Sequence, residues 1–170
     1  MVLKIRIKEN QMSRARRGDF GEYVPPYAPI IYSPRQADWI EPFPGCKLLL
    51  RVRSKEVAGC YGIVEAIAAP GCGCPDHFHA EDAVFQIISG TTIFTVRGEF
   101  VSAPAGTTVV IPAGTPHAWK NRSAAPARML VTFTPGGIED MFELLADHPP
   151  EEQMRVARRY GTVLVGPPPA

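Results

Sequence analysis

The sequence predicts an all-β sandwich or barrel, preceded by a proline-rich arm and followed by short helices. Three observations carry this. Between Lys47 and Thr134 short apolar runs recur with glycine or proline between them. The stretch before Lys47 holds too much proline for helix, and after Pro135 the apolar spacing changes to that of a helix. Residues 1–46 then read as an N-terminal extension and arm packing on the barrel, 47–134 as the barrel, and 135–170 as a helical segment and tail.

The arm contains YVPPYAPIIYSPRQADWIEPFPG, which favours extended or polyproline-like backbone with turns. Its Tyr23, Tyr27 and Tyr32 either cover a neighbouring subunit or pack the arm down. The strand runs follow as KLLLRVRS, YGIVEAIAAPG, AVFQIISG, TTIFTVRG, EFVSAPAG, TTVVIPAG and ARMLVTFTPGG. Seven or eight short strands at that spacing make one barrel without an internal repeat. In IEDMFELLADHP, Ile138, Met141, Phe142 and Leu145 fall at i, i+3, i+4 and i+7, so they share a face that packs on the barrel. Pro149 and Pro150 break that helix, EEQMRVARRYG forms a second one ended by Gly161, and the tail GTVLVGPPPA is extended.

Composition narrows the partners. The chain has 170 residues, 45% of them hydrophobic, which is enough for one domain to bury a core. Lys and Arg number 18 against 17 Asp and Glu, a net +1 with no long basic run, so neither nucleic acid nor an anionic membrane is the expected partner. No apolar stretch approaches the roughly 20 residues of a spanning helix. MVLKIRIKENQMSRARRGDF carries no secretory apolar region, so a cytoplasmic location is expected, with Cys46, Cys60, Cys72 and Cys74 as reduced thiols. Met12 offers an alternative start.

Two segments carry chemistry. In GCGCPDHFHA, His77 and His79 are one residue apart, so on a strand both imidazoles project from one face. In GTTVVIPAGTPHAWKN, the turn at Pro112 and Gly114 delivers His117 from a second strand. Singly these are weak signals, since an H-x-H pair is often incidental and a lone histidine more often structural than a ligand.

Taken together the spacing is specific: Gly71, five residues and His77-x-His79; then Gly106, five residues and Pro112-x-Gly114-x-x-His117-x-x-x-Asn121. This resembles the cupin superfamily over roughly Lys47 to Thr134, and more softly, in its flanks, single-domain cupins related to quercetin 2,3-dioxygenase. The resemblance implies a double-stranded β-helix, or jelly-roll, barrel. It also implies a divalent metal (Fe, Zn, Ni, Cu or Mn) on His77, His79 and His117, a small-molecule substrate or ligand, and a homodimer. One position departs from the pattern. Where such cupins carry a glutamate ligand, six residues before Gly90 intervening, this chain has Ala83, which can neither ligate nor take a proton. Glu81 and Asp82 lie nearby, but their expected place is a solvated turn. Three-histidine sets also occur among cupin-type iron dioxygenases, so metal binding survives the loss. What is lost is a base worth about 10² to 10⁴ in rate.

The remaining assignments are plainer. Cys72-x-Cys74 lacks the ligand gap of structural zinc sites and reads as small residues in a glycine-rich loop, with Cys74 open to oxidation; Cys46 and Cys60 read as packing residues. Phe85, Ile87, Ile93, Phe94, Val110 and Met129 are candidate pocket walls, Trp119 shares the face of His117, and Ala83 lines the pocket in place of the ligand. Gln86 points outward by parity, and His148 is a surface residue. The functional expectation is a dioxygenase-like metalloenzyme for a small aromatic or enolisable compound. The alternatives are a non-catalytic ligand-binding cupin and a metal-dependent isomerase or lyase.

Overall fold

The computed structural model describes residues 27–32 and 37–167, and the chain divides into the units Met1–Ala37 and Asp38–Ala170. In the first unit Tyr27 and Tyr32 are half-buried, while Tyr23 lies outside the described residues. The second unit carries two antiparallel sheets. One is built from β1 (Ile40–Phe43), β2 (Cys46–Val52), β3 (Gly62–Ala68), β5 (Asp82–Ser89), β8 (Thr108–Ile111) and β10 (Ala127–Thr134), in the order β1-β2-β3-β10-β5-β8. The other joins β4 (Gly73–Phe78), β6 (Thr91–Val96), β7 (Glu99–Pro104), β9 (His117–Lys120) and β11 (Val163–Leu164), in the order β11-β4-β9-β6-β7. Two antiparallel sheets with crossovers between them match the jelly-roll expectation, and β1 falls inside the proline-rich stretch.

Alternation sorts the side chains. On β5, Ala83, Phe85 and Ile87 are buried while Gln86 and Ile88 face out; on β10, Ala127, Met129, Val131 and Phe133 are buried. The inward residues of both strands meet in one apolar core with Phe94, Ile111 and Trp119. A carboxylate braces the outer side of the first sheet. Glu65 on β3 is 2% exposed and bonded by Arg51 Nε at 2.6 Å and Arg128 Nε at 2.5 Å. Burial works to raise its pKa, yet the two guanidiniums outweigh burial and hold it below the usual carboxylate range.

The helical segment forms α1 (Glu139–Asp147) and α2 (Pro150–Arg159), with Pro150 opening the second as proline does at a first helical position. Ile138, Met141 and Leu145 are buried as their spacing requires. Glu139 ties α1 to the barrel by accepting the Ser54 and Gly137 N–H groups, each at 2.6 Å. That contact needs glycine at position 62, where a Cβ would stand 2.3 Å from Glu139 Oε2. His148 is half-buried and, through Nδ1, hydrogen-bonded to the Leu144 carbonyl at 2.7 Å, closing the end of α1. Among the described residues no helix is long and apolar enough to cross a membrane.

Three expectations are revised. Val110 is 62% exposed, so it faces solvent and not the pocket. Cys60 is exposed in the loop after the 3₁₀ turn at Ser54–Glu56 and packs into no core. Cys74, read as part of a loop before the first histidine, lies on β4, which already begins at Gly73, and the tail does more than extend: β11 pairs with β4 at Val163–Phe78 and Leu164–His77.

Candidate metal centre

The three histidines meet because β4 and β9 are held in one register. His77 and His117 are direct partners across the two strands, whereas Gly73 pairs with Lys120 and Cys74 with Trp119, so β4 carries one extra residue between Cys74 and His77. That bulge decides the chemistry: without it Asp76 would face His117, and with it the imidazole does. Glycine at 73 permits the close approach, since a Cβ there would lie 2.3 Å from the Trp119 carbonyl oxygen. The turn before His117 is fastened to the end of the first motif. The Gly114 N–H donates to the His79 carbonyl and the Ala113 N–H to Asp82 Oδ1, both at 2.8 Å. Gly114 supplies the left-handed backbone, φ +72°, that the turn demands. Asn121, fully buried, locks the far end by donating to the Ala68 and Ala125 carbonyls at 2.9 and 2.8 Å.

Ring centroids lie 4.3 Å apart for His77 and His117, 5.1 Å for His79 and His117, and 5.6 Å for His77 and His79. One nitrogen of each ring falls within 4.8 Å of the others, so the three could hold a metal ion. All are buried, and burial lowers each pKa from 6.5 to about 4, leaving neutral imidazoles with a free lone pair at neutral pH. Nδ1 of His77 is hydrogen-bonded to the Pro75 carbonyl at 2.8 Å and that of His117 to the Thr115 carbonyl at 2.9 Å, which protonates Nδ1 and turns Nε2 to the centre. His117 Nε2 is buried with no hydrogen-bond partner. An orphaned acceptor of this kind costs about 1–3 kcal/mol, and two further imidazoles beside it suit it to a metal ion.

In front of the rings lies a cavity of about 320 Å³, at the small end of ligand pockets. Phe85, Met129 and Trp119 line it as expected, together with His77, His79 and His117. Ile87 and Phe94 are buried in the core, Ile93 is half-buried, and none of the three lines the cavity. Ala83 faces inward too, but it is fully buried between Ile111 and Phe133 of the adjoining strands and does not reach the wall. Sequence reasoning missed the roof: Met141, Leu145, Gln153 and Ala157 of the helices, and Leu164 of β11, line the same space. The burial stripe of α1 was legible, but not that its face closes a cavity. Cys74 was also misassigned. It sits on β4 at the cavity wall, its Sγ 3.6 Å from His77 Nδ1, and burial pushes its thiol up to about 12. A thiol held protonated in this way is a poor nucleophile. Cys46 and Cys72 are buried, and burial with the hydrogen bond between them raises Cys46. Asp82 is exposed as predicted, whereas the Glu81 side chain is 14% exposed and leaves solvent to approach His79.

The cupin domain family model matches residues 64–133. Among solved structures, KdgF from Halomonas sp. superposes with a TM-score of 0.59 at 17% identity, over 65% of this chain and 96% of that one. An RmlC-like cupin from Shewanella frigidimarina gives 0.56 at 16%, over 65% and 94%. A predicted oxalate decarboxylase from Thermotoga maritima gives 0.56 at 16%, over 62% and 98%. No curated protein matches the chain. The domain match supports the cupin superfamily and these neighbours show the cupin fold; neither singles out the quercetin 2,3-dioxygenase-like group.

The depressed histidines make acid stability a readout of the site. Between pH 6.5 and about 4 the unfolded chain takes up protons that the folded imidazoles refuse, so stability of the metal-free protein is level above pH 6.5 and falls as the pH drops toward 4. Urea midpoints against pH measure this. The slope in that window is expected to be smaller in His117→Phe, and a midpoint independent of pH from 7 to 4 would contradict the burial described.

Proposed function

We propose that this cupin barrel is a metal-dependent enzyme in which His77, His79 and His117 hold a divalent metal and the apolar cavity receives a small aromatic or enolisable compound for oxygenation. The observation that carries the reading is the partnerless, buried Nε2 of His117 beside two other neutral imidazoles. The metal would supply Lewis acidity and a path for electrons. The chain's own contribution is geometric. Carbonyls of Pro75 and Thr115 fix two ring orientations, and Phe85 stands edge-on to His117 with centroids 6.1 Å apart. Helix residues line the same cavity, and the rings themselves are buried, which strengthens the electrostatic contacts they make.

A second reading, a ligand-binding cupin without turnover, is favoured by Ala83. Among the described residues no carboxylate belongs to the histidine cluster, and the position of the usual base is taken by Ala83. Metal analysis of the purified chain, then oxygen uptake with 1,3-diketones, catechols and flavonols, separates the two. The proposal expects about one metal per chain, its loss in His117→Ala, and oxygen consumption with a diketone or catechol. Metal without consumption supports the second reading, and unchanged metal in His117→Ala removes the named ligands.

Pairing of two copies is part of the proposal. Among the described residues no further strand pairs with the outer edges of β7 and β8, and Phe100, Val101 and Val110 on them are 63%, 44% and 62% exposed. Such edges are covered in soluble proteins. Sedimentation at twice the 18.6 kDa chain mass is expected, with Phe100→Lys shifting it to one; a monomeric wild type would refute pairing.

A further inference from the structure

The walls of the cavity say more about the ligand than the rings do. Among its described lining residues none is Asp, Glu, Lys or Arg. Besides the imidazoles, the thiols of Cys46 and Cys74 and the indole N–H of Trp119, the polar side chains are Gln153 and Thr162. The Gln153 amide nitrogen donates to the Pro42 and Leu145 carbonyls at 3.0 and 2.9 Å, and the Thr162 hydroxyl faces Met141 Sδ at 3.7 Å. A charged group placed there would lose its water and gain no counter-ion, whereas each apolar group gains by burial. The space equals roughly ten water molecules at ~30 Å³ each, so it takes a small ligand.

We propose that the cavity selects a ligand that is uncharged and apolar everywhere except at the one donor end presented to the imidazoles, so that dicarboxylates and sugar phosphates are shut out. This deepens the functional reading of the same site, but its test needs no metal. A matched pair isolates the charge: N-phenyl-1-naphthylamine, and the same skeleton bearing a sulfonate, 8-anilinonaphthalene-1-sulfonate. In fluorescence titrations of the chelator-treated full chain, the neutral probe is expected to bind about tenfold tighter or more. Met154 lines the cavity and is 47% exposed, so Met154→Lys adds a cation at a tolerant position and is expected to shrink that ratio several-fold. Equal or tighter binding of the sulfonate, no binding of the neutral probe, or a ratio unmoved by Met154→Lys would overturn the assignment. None of these outcomes depends on whether the histidines hold metal.

A separate observation concerns Glu81. His77 and His117 each use a carbonyl two residues upstream to fix Nδ1, whereas the backbone group that acts on His79 lies downstream, at Glu81. Its Nδ1 and Glu81 Oε2 are both buried without a hydrogen-bond partner, and they face one another at 3.4 Å. We infer that Glu81 is the positioning residue of His79, accepting its Nδ1–H once the ring is drawn onto a metal. The carboxylate missing at Ala83 thus stands behind a ligand instead of beside it. Chelator competition with Co(II) tests this on the full chain: Glu81→Ala is expected to weaken Co(II) by about 10- to 100-fold, with Glu81→Gln restoring much of the loss and the visible Co(II) spectrum. In a His79→Ala background, Glu81→Ala should add nothing. Wild-type affinity in Glu81→Ala, or an equal loss without His79, would overturn the role. A wild type that binds no Co(II) would fail the metal reading itself, and this role with it.

Discussion

Everything functional in this chain depends on the register between β4 and β9. Two strands from separate motifs must bring three rings to one point, and a slip of one residue would turn His77 to the opposite face. The fold guards that register in three ways. The extra residue between Cys74 and His77 sets the phase, Gly73 lets the strands close on the Trp119 carbonyl, and the Gly114 N–H bond to His79 joins the two motifs. Asn121 then holds the outgoing chain with two donated bonds, from a position shielded from competing water.

Around this point the protein builds a dry enclosure. Burying each large apolar side chain contributes about 1.5–3 kcal/mol, and the walls formed by Phe85, Met129, Phe133, Met141 and Leu145 supply several such terms. That surplus offsets the cost of keeping three neutral imidazoles out of water. The same dryness lowers their pKa values, so the lone pairs needed for ligation are present throughout the neutral range. Stability and function draw on one cause, the exclusion of solvent. The helices belong to this arrangement as well, since Glu139 anchors α1 against Ser54 and the buried stripe of α1 roofs the cavity.

Much of this was legible in the sequence, and the reasons are local. Short apolar runs bounded by glycine or proline, AVFQIISG and ARMLVTFT, identified β5 and β10, and the i, i+3, i+4, i+7 spacing identified α1. The histidines were legible because H-x-H on a strand and a glycine turn before a third histidine leave few geometries. What failed is equally local. GCPDHF has no apolar alternation because its inward places are taken by a thiol and an imidazole, and a bulge breaks its phase, so the strand's start was missed and Cys74 read as loop. Val110 lies outward because TVVI is a four-residue edge strand, too short for its parity to be fixed by sequence. Glu81 read as a solvated turn because its burial comes from tertiary neighbours of His79, which no local pattern records. The roof was invisible for the same reason: periodicity gives a helix its face, but not the space that the face covers.

The central claim is that three imidazoles could hold a metal with no carboxylate bound directly to it. X-ray absorption at the metal edge of the loaded protein tests it most directly, because imidazole rings give a distinctive outer-shell scattering. The account predicts three imidazoles at about 2.0–2.2 Å for a first-row metal, falling to two in His79→Ala. Fewer than three in the wild type, or a carboxylate or sulfur in the first shell, would contradict it.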